Sequence, residues 1–165
     1  MRPRSLRRFS VRVTAMSRII VTRGVKEHRS TIPYCVSGED TVLEIGCAWG
    51  TTSALLHRSA KQLVAIDKGE SLPAARQKHP HIRFEQIDGF DVSRVLKLGF
   101  RFDKVYIDIS GCRRITDVLK MVSMYESAFA PEIIVVKSTA LKRLLQRCTL
   151  WEARGPAMLR RTGCV

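Results

Sequence analysis

Val42-Leu43-Glu44-Ile45-Gly46-Cys47-Ala48-Trp49-Gly50-Thr51-Thr52 is the stretch whose reading decides the fold. Its first part is short and apolar, as a buried strand is. A glycine straight after such a strand permits a sharp turn. A second glycine at the start of the following helix lets the backbone come close to a ligand. Free N–H groups at that helix start favour anionic or polar ligand atoms. Two glycines alone are a weak signal, because many strand-to-helix turns hold them for packing. Asp67 strengthens it: it ends the next apolar run and lies 21 residues beyond Gly46. An acid there can accept hydrogen bonds from both ribose hydroxyls of an adenosine cofactor. The plain alternative for Asp67 is an ordinary N-cap or loop acid.

Working outward, strands and helices alternate. Helical spacing over Thr51–Ala60 leads to the apolar run Gln62–Asp67, and Ser71–Lys78 reads as a short helix with Pro73 in its first turn, a position proline tolerates. Strands are expected at Ile82–Ile87, Lys104–Ile109 and Glu132–Val136, and helices at Asp91–Leu98, Ile115–Phe129 and Thr139–Arg147. A last hairpin is expected from Thr149–Ala153 and Ala157–Arg161, and a covering helix within Gly24–Cys35 that stops near Pro33. Repeated strand-helix units give an open parallel sheet with helices on both faces. Ligands of such sheets bind at the carboxyl ends of the strands, here the loops after Ile45, Ile66, Ile87, Ile109 and Val136.

The 165 residues are 45% hydrophobic and 27% charged, which fits one globular core and excludes a disordered or fibrous chain. No apolar run approaches the ~20 residues of a membrane-spanning helix. The net charge of +14 suggests an anionic partner, most often nucleic acid. That charge sits at the ends. Residues 1–23 hold seven Arg and no acid, residues 137–165 hold seven bases and one acid, and the middle has 15 bases against 14 acids. The Arg-rich, acid-free start has the composition of an organelle transit segment, which suggests a mitochondrion or chloroplast. A basic arm that touches RNA and an uninformative leader are the other readings. The chain thus divides into a leader, 1–23, and one domain, 24–165. Five cysteines show no CxxC, and the four histidines are scattered, so free thiols and no metal site are expected.

With these residues in place, the chain resembles the class I S-adenosylmethionine-dependent methyltransferases. Their first motif, an acid and then glycines after strand one, matches Glu44-Ile45-Gly46-Cys47-Ala48-Trp49-Gly50. Their ribose-binding acid matches Asp67 in Ala65-Ile66-Asp67-Lys68. Their adenine-edge residue matches Asp88, followed by Gly89, and their fourth motif matches Phe102 to Asp108. The middle glycine of the first motif is Ala48 here. A nicotinamide-binding fold competes, but its G-x-G-x-x-G is absent. The resemblance covers roughly residues 24–154. It implies a mostly parallel seven-stranded sheet with abbreviated C-terminal strands. It also implies S-adenosyl-L-methionine as cofactor, held by Glu44, Gly46, Cys47, Ala48, Trp49, Gly50, Asp67, Lys68, Asp88, Gly89 and Asp108.

The acceptor is narrowed by what the later loops lack. After strand four stands Asp108-Ile109-Ser110-Gly111, not the Asn/Asp-Pro-Pro-aromatic motif of adenine amino-methyltransferases. After strand five stands Lys137-Ser138, not the Asp-Asn of the metal-dependent catechol type. No cysteine takes the place of the pyrimidine-C5 nucleophile, though Cys112 is near. The pair Asp108 and Lys137 looks like part of the Lys-Asp-Lys-Glu set of ribose 2′-O-methyltransferases, and the first and fourth motifs resemble those of fibrillarin. Lys26 and Glu152 are candidates for the rest of that set. The resemblance implies that Lys137 favours a hydroxyl's alkoxide and that Asp108 holds the lysine or orients the hydroxyl. The plain alternatives are an acid that contacts the cofactor and a lysine that snorkels or binds phosphate. Two functions follow: a methyltransferase acting on ribosomal or transfer RNA, or an inactive RNA-binding or ribosome-associated scaffold with protein partners. A small-molecule or protein methyltransferase is the third reading.

Overall fold

The computed structural model describes residues 16–109 and 113–151. Its strands are β1 (Arg18–Thr22), β2 (Thr41–Ile45), β3 (Gln62–Asp67), β4 (Arg83–Gln86), β5 (Lys104–Ile107) and β6 (Ile133–Lys137). They form one sheet in the order β1-β6-β5-β2-β3-β4, and every pairing is parallel. The expected seven-stranded, mostly parallel sheet is therefore a six-stranded, wholly parallel one among the described residues. The closing hairpin falls largely outside them, and residues 149–151 are not strand.

β1 moves the expected boundary between leader and domain. It lies inside the 1–23 stretch, yet it pairs with β6 along its whole length, from Arg18 opposite Ile133 to Thr22 opposite Lys137. Ser17 is tied down as well. Its hydroxyl donates to the Pro131 carbonyl at 2.6 Å and its N–H to Glu126 at 2.9 Å. The folded part thus reaches back to Ser17, and residues 1–15 lie outside the described chain.

The helices are α1 (Val25–Ser30), α2 (Ile32–Cys35), α3 (Thr51–Ser59), α4 (Leu72–Lys78), α5 (Val92–Leu96), α6 (Ile115–Phe129) and α7 (Thr139–Leu145). The single covering helix expected over 24–35 is two short ones. Pro33 does not stop it but sits in the first turn of α2, where its missing N–H has no intrahelical partner to lose.

Strand alternation splits the core in two. Leu43, Ile45, Val105, Ile107, Ile134 and Val136 pack with Val118, Met121 and Tyr125 of α6. Val42, Leu63, Ala65, Tyr106 and Val135 pack on the opposite side with Ile32, Leu56 and Leu72. β2 pairs with β3 on one side and β5 on the other. The order reverses there, and that reversal opens a crevice at the carboxyl ends.

Candidate functional site

The loop after β2 is built on left-handed backbone, with φ of 86° at Gly46, 44° at Ala48 and 75° at Gly50. Gly46 admits no side chain: a Cβ there would stand 1.9 Å from the Asp108 carbonyl oxygen. This closeness comes from the sheet. The Gly46 N–H donates to the Ile66 carbonyl and the Asp108 N–H to the Ile45 carbonyl, both at 2.8 Å. Ala48 carries a methyl group in a region L-residues avoid, at a cost on the order of 1 kcal/mol. Gly50 forms the N-cap of α3, with Phe84 and His79 atoms 3.0 Å from where its Cβ would be.

Asp67, at the end of β3, holds this loop. Its Oδ2 accepts the Ala48 N–H at 2.8 Å and its Oδ1 the Gly69 N–H at 2.7 Å. A carboxylate has about four acceptor sites, so two remain for a ligand's hydroxyls. Asp88 accepts the Phe90 N–H at 3.0 Å and meets the Lys68 ammonium at 3.0 Å. The Phe90 N–H first, and then Lys68, hold its carboxyl below the usual carboxylate range. The Tyr125 hydroxyl donates to the Gly89 carbonyl at 2.9 Å, which anchors the loop after β4.

These groups surround a cavity of about 360 Å³. Gly46, Ala48, Asp67 and Lys68 line it together with Asp88, Gly89, Asp108 and Lys137. Four other sequence-derived residues do not line it. Glu44 is buried and accepts the Ser53 hydroxyl at 2.5 Å. Burial pushes its carboxyl up to about 7, against the Ser53 bond, and the Asp108 carboxylate adds to the rise. Cys47 is buried, and burial pushes its thiol up, away from a reactive thiolate. Trp49 is 62% exposed. Gly50 shapes the turn beneath.

Asp108 and Lys137 come together: a carboxylate oxygen of one lies 2.5 Å from the ammonium of the other, with side chains 18% and 17% exposed. Lys26 is on the exposed side of α1 and does not line the cavity. Glu152 and Cys112 lie outside the described residues.

Sequence reasoning missed His28 and Arg113. His28 is 1% exposed. Its Nδ1 is 3.3 Å from the Thr22 hydroxyl, and its ring meets Tyr106 edge-on at 5.1 Å. Its Nε2 has no hydrogen-bond partner among the described residues. Burial pushes its pKa down to about 4, against the pull of Asp108 and with the repulsion of Lys137. A lone histidine in Val25–Ser30 carries no sequence signal of this burial, which β1 and β5 create together. Arg113 lines the cavity and stands over the Phe90 ring at 5.8 Å. Among the described residues no group of His, Cys, Asp or Glu is placed to hold a metal. No helix there is long and apolar enough to cross a membrane.

No family model matches the chain, and no curated protein matches it. Solved structures do. A dimethyladenosine transferase from Plasmodium falciparum superposes on 76% of this chain and 46% of its own, at 17% identity and a TM-score of 0.55. An rRNA methylase from Streptococcus thermophilus superposes on 72% of this chain and 74% of its own, at 12% identity and a TM-score of 0.52. The chain spans under half of the first structure. The fold is that of the class I S-adenosylmethionine-dependent methyltransferases.

Proposed function

We propose that this chain is an S-adenosylmethionine-dependent methyltransferase that acts on RNA, with a ribose 2′-hydroxyl as acceptor. The observation that carries the reading is the Asp108–Lys137 ion pair lining the same cavity as Asp67 and Asp88. The donor set fits the cofactor. Asp67 keeps acceptor sites for ribose hydroxyls, Asp88 presents a carboxylate to an amino edge, and at Gly46 and Gly89 backbone takes the place of side chains. A Cβ at Gly89 would meet Ile45 at 2.6 Å.

When bound, S-adenosylmethionine supplies an electrophilic methyl group, so the protein has mainly to orient the acceptor. Lys137 is the group that acts on a hydroxyl. Its ammonium stabilises developing negative charge on the oxygen and lowers the hydroxyl's pKa, so that the hydroxyl's proton passes to solvent. Asp108 fixes the ammonium in place. Partial burial of both strengthens these interactions relative to water. The surplus of Lys and Arg, 29 against 15 acids, supports an RNA acceptor. Residues 1–16, ahead of the folded part, hold five Arg and no acid, which supports an organelle location.

A scaffold that keeps the fold without transfer is the second reading. It is favoured by Ala48 in a left-handed conformation where the family pattern has glycine, and by the Asp67 carboxylate already accepting two N–H groups. Calorimetric titration of the full chain with S-adenosylmethionine, followed by label transfer to total RNA, separates the two. Micromolar binding abolished by Asp67→Ala, with label entering RNA, is the expected result. A folded chain that binds no cofactor makes the scaffold the better reading.

A further inference from the structure

We propose that Arg23, Arg113 and Lys137 form a phosphate-binding subsite beside the cofactor cavity, which takes a phosphate ester carried by the methyl acceptor. This rests on reading the larger cavity as the site of methyl transfer. A second, smaller hollow is lined by Arg23, Arg113, Lys137, Ser138 and Thr139. Arg113 and Lys137 line both hollows, so the two meet there. Three cations and no carboxylate line the smaller one.

Of those cations Lys137 is paired with Asp108, while Arg23 and Arg113 are attracted to the Glu27 and Asp88 carboxylates without forming an ion pair. Among the described residues the side chains of Arg23 and Arg113 enter no ion pair, and Lys137 has Asp108 as its partner. The nearby hydroxyls are already committed. Ser138 Oγ accepts the Leu141 N–H at 3.2 Å, and Thr139 Oγ1 donates to the Arg23 carbonyl at 2.8 Å. With the Ser138 N–H bonded to the Thr22 carbonyl at 2.8 Å, these bonds clamp the end of β1 to the start of α7. They fix the Arg23 backbone at the hollow. Glu27 accepts the Arg23 N–H with one carboxylate oxygen and takes the Lys142 ammonium on the other, and the Arg23 charge adds to its stabilisation from nearby.

Two guanidinium groups that enter no ion pair among the described residues, converging beside the Lys137 ammonium, match a phosphate, whose oxygens accept paired N–H donors. A neutral acceptor would leave this charge unanswered. The phosphate can belong to an RNA strand or to a small phosphorylated nucleoside, and the chemistry of recognition is the same.

The test uses the full chain and a labelled single-stranded RNA oligonucleotide, with affinity measured over a series of salt concentrations. S-adenosylmethionine affinity is measured in parallel. Arg23→Gln and Arg113→Gln should each weaken the oligonucleotide about fivefold at low salt and cut the log–log salt slope by roughly 0.7. The double variant should weaken it further, with the slope cut still roughly 0.7, the value for the single phosphate that the subsite holds. Arg58→Gln, an exposed arginine on α3, should change neither. A double variant with the parent's affinity and slope overturns the subsite. Displacement of the oligonucleotide by a nucleoside monophosphate, lost in the double variant, supports the site and assigns it a small phosphorylated occupant. Failure of the monophosphate to displace it, with the variant effects intact, supports the site and assigns it a strand phosphate. Loss of S-adenosylmethionine binding by the parent would overturn the cofactor reading and leave the phosphate result standing on its own.

Discussion

The Lys137 ammonium meets the Asp108 carboxylate at 2.5 Å, and the pairing of β5 with β6 explains why. Ile107 stands opposite Val136 in that ladder, so the next residue on each strand is Asp108 on one and Lys137 on the other. On its other side Lys137 stands opposite Thr22 of β1, whose hydroxyl lies beside His28. A row of polar groups therefore crosses the carboxyl end of three adjacent strands, with the candidate catalytic lysine in its middle.

Replacing that lysine separates binding from transfer. Lys137→Ala should lower single-turnover methyl transfer to RNA by about 10²-fold or more, the usual scale of a positioned group that stabilises developing charge. Cofactor affinity should stay within about twofold to threefold of the parent, since one partly buried contact near the ligand is lost. Asp108→Asn should act in the same direction through the lysine it holds. Normal transfer by Lys137→Ala would sink the 2′-hydroxyl mechanism.

Gly46 and Ala48 share positive φ but should respond in opposite ways. Gly46→Ala combines a strained backbone with a Cβ 1.9 Å from the Asp108 carbonyl, so strands β2 and β5 must separate. A loss of at least about 3 kcal/mol of stability is expected. Ala48→Gly relieves a methyl group held at φ 44° and should range from neutral to about 1 kcal/mol stabilising, with the greater freedom of the unfolded chain offsetting part of the gain. Denaturant midpoints for the two variants check this. A tolerated Gly46→Ala would mean the contact between these strand ends is not needed.

Asp67→Ala should cost both cofactor binding and loop order. It removes the acceptor of two backbone N–H bonds, worth about 1–2 kcal/mol in all at a partly exposed site. Asp67→Asn keeps one oxygen acceptor and should recover part of the stability without recovering cofactor affinity. Calorimetry beside thermal unfolding tells the two effects apart. Equal recovery of both would mean that the acid serves only the loop.

Much of this arrangement is legible in the chain itself. The helix over Ile115–Phe129 has the bounds its periodicity predicts, and the apolar runs after residues 41, 62, 104 and 132 are strands. Each is buried on both faces, so its composition carries a strong local signal. β1 carries none. Arg18-Ile19-Ile20-Val21-Thr22 has only three apolar residues among arginines, and as an edge strand it stays half exposed. Its partner, β6, lies over a hundred residues away, and no local pattern encodes such a pairing. His28 and Arg113 were invisible for the same reason: their setting is made by elements distant in sequence. Asp108 and Lys137 were legible because both sit just where an apolar run ends.

The last prediction concerns two buried groups whose pH dependences oppose each other. Glu44 has its carboxyl raised to about 7 from an ordinary 4.5. Between those values the folded protein keeps the proton and the unfolded chain releases it, so stability falls as pH rises and levels off above 7. His28 has its pKa lowered to about 4 from 6.5. Over that range the unfolded chain binds the proton and the folded protein does not, so stability rises with pH and levels off above 6.5. Each amounts to roughly 3 kcal/mol over its range. In the parent the two nearly cancel from pH 4.5 to 6.5. Glu44→Gln, which keeps an acceptor for Ser53, should therefore uncover a rise in unfolding free energy over that window. His28→Gln should uncover a fall that continues to pH 7. Denaturant titrations of all three proteins at successive pH values decide it: curves that stay parallel would show that neither group is shielded as its burial implies.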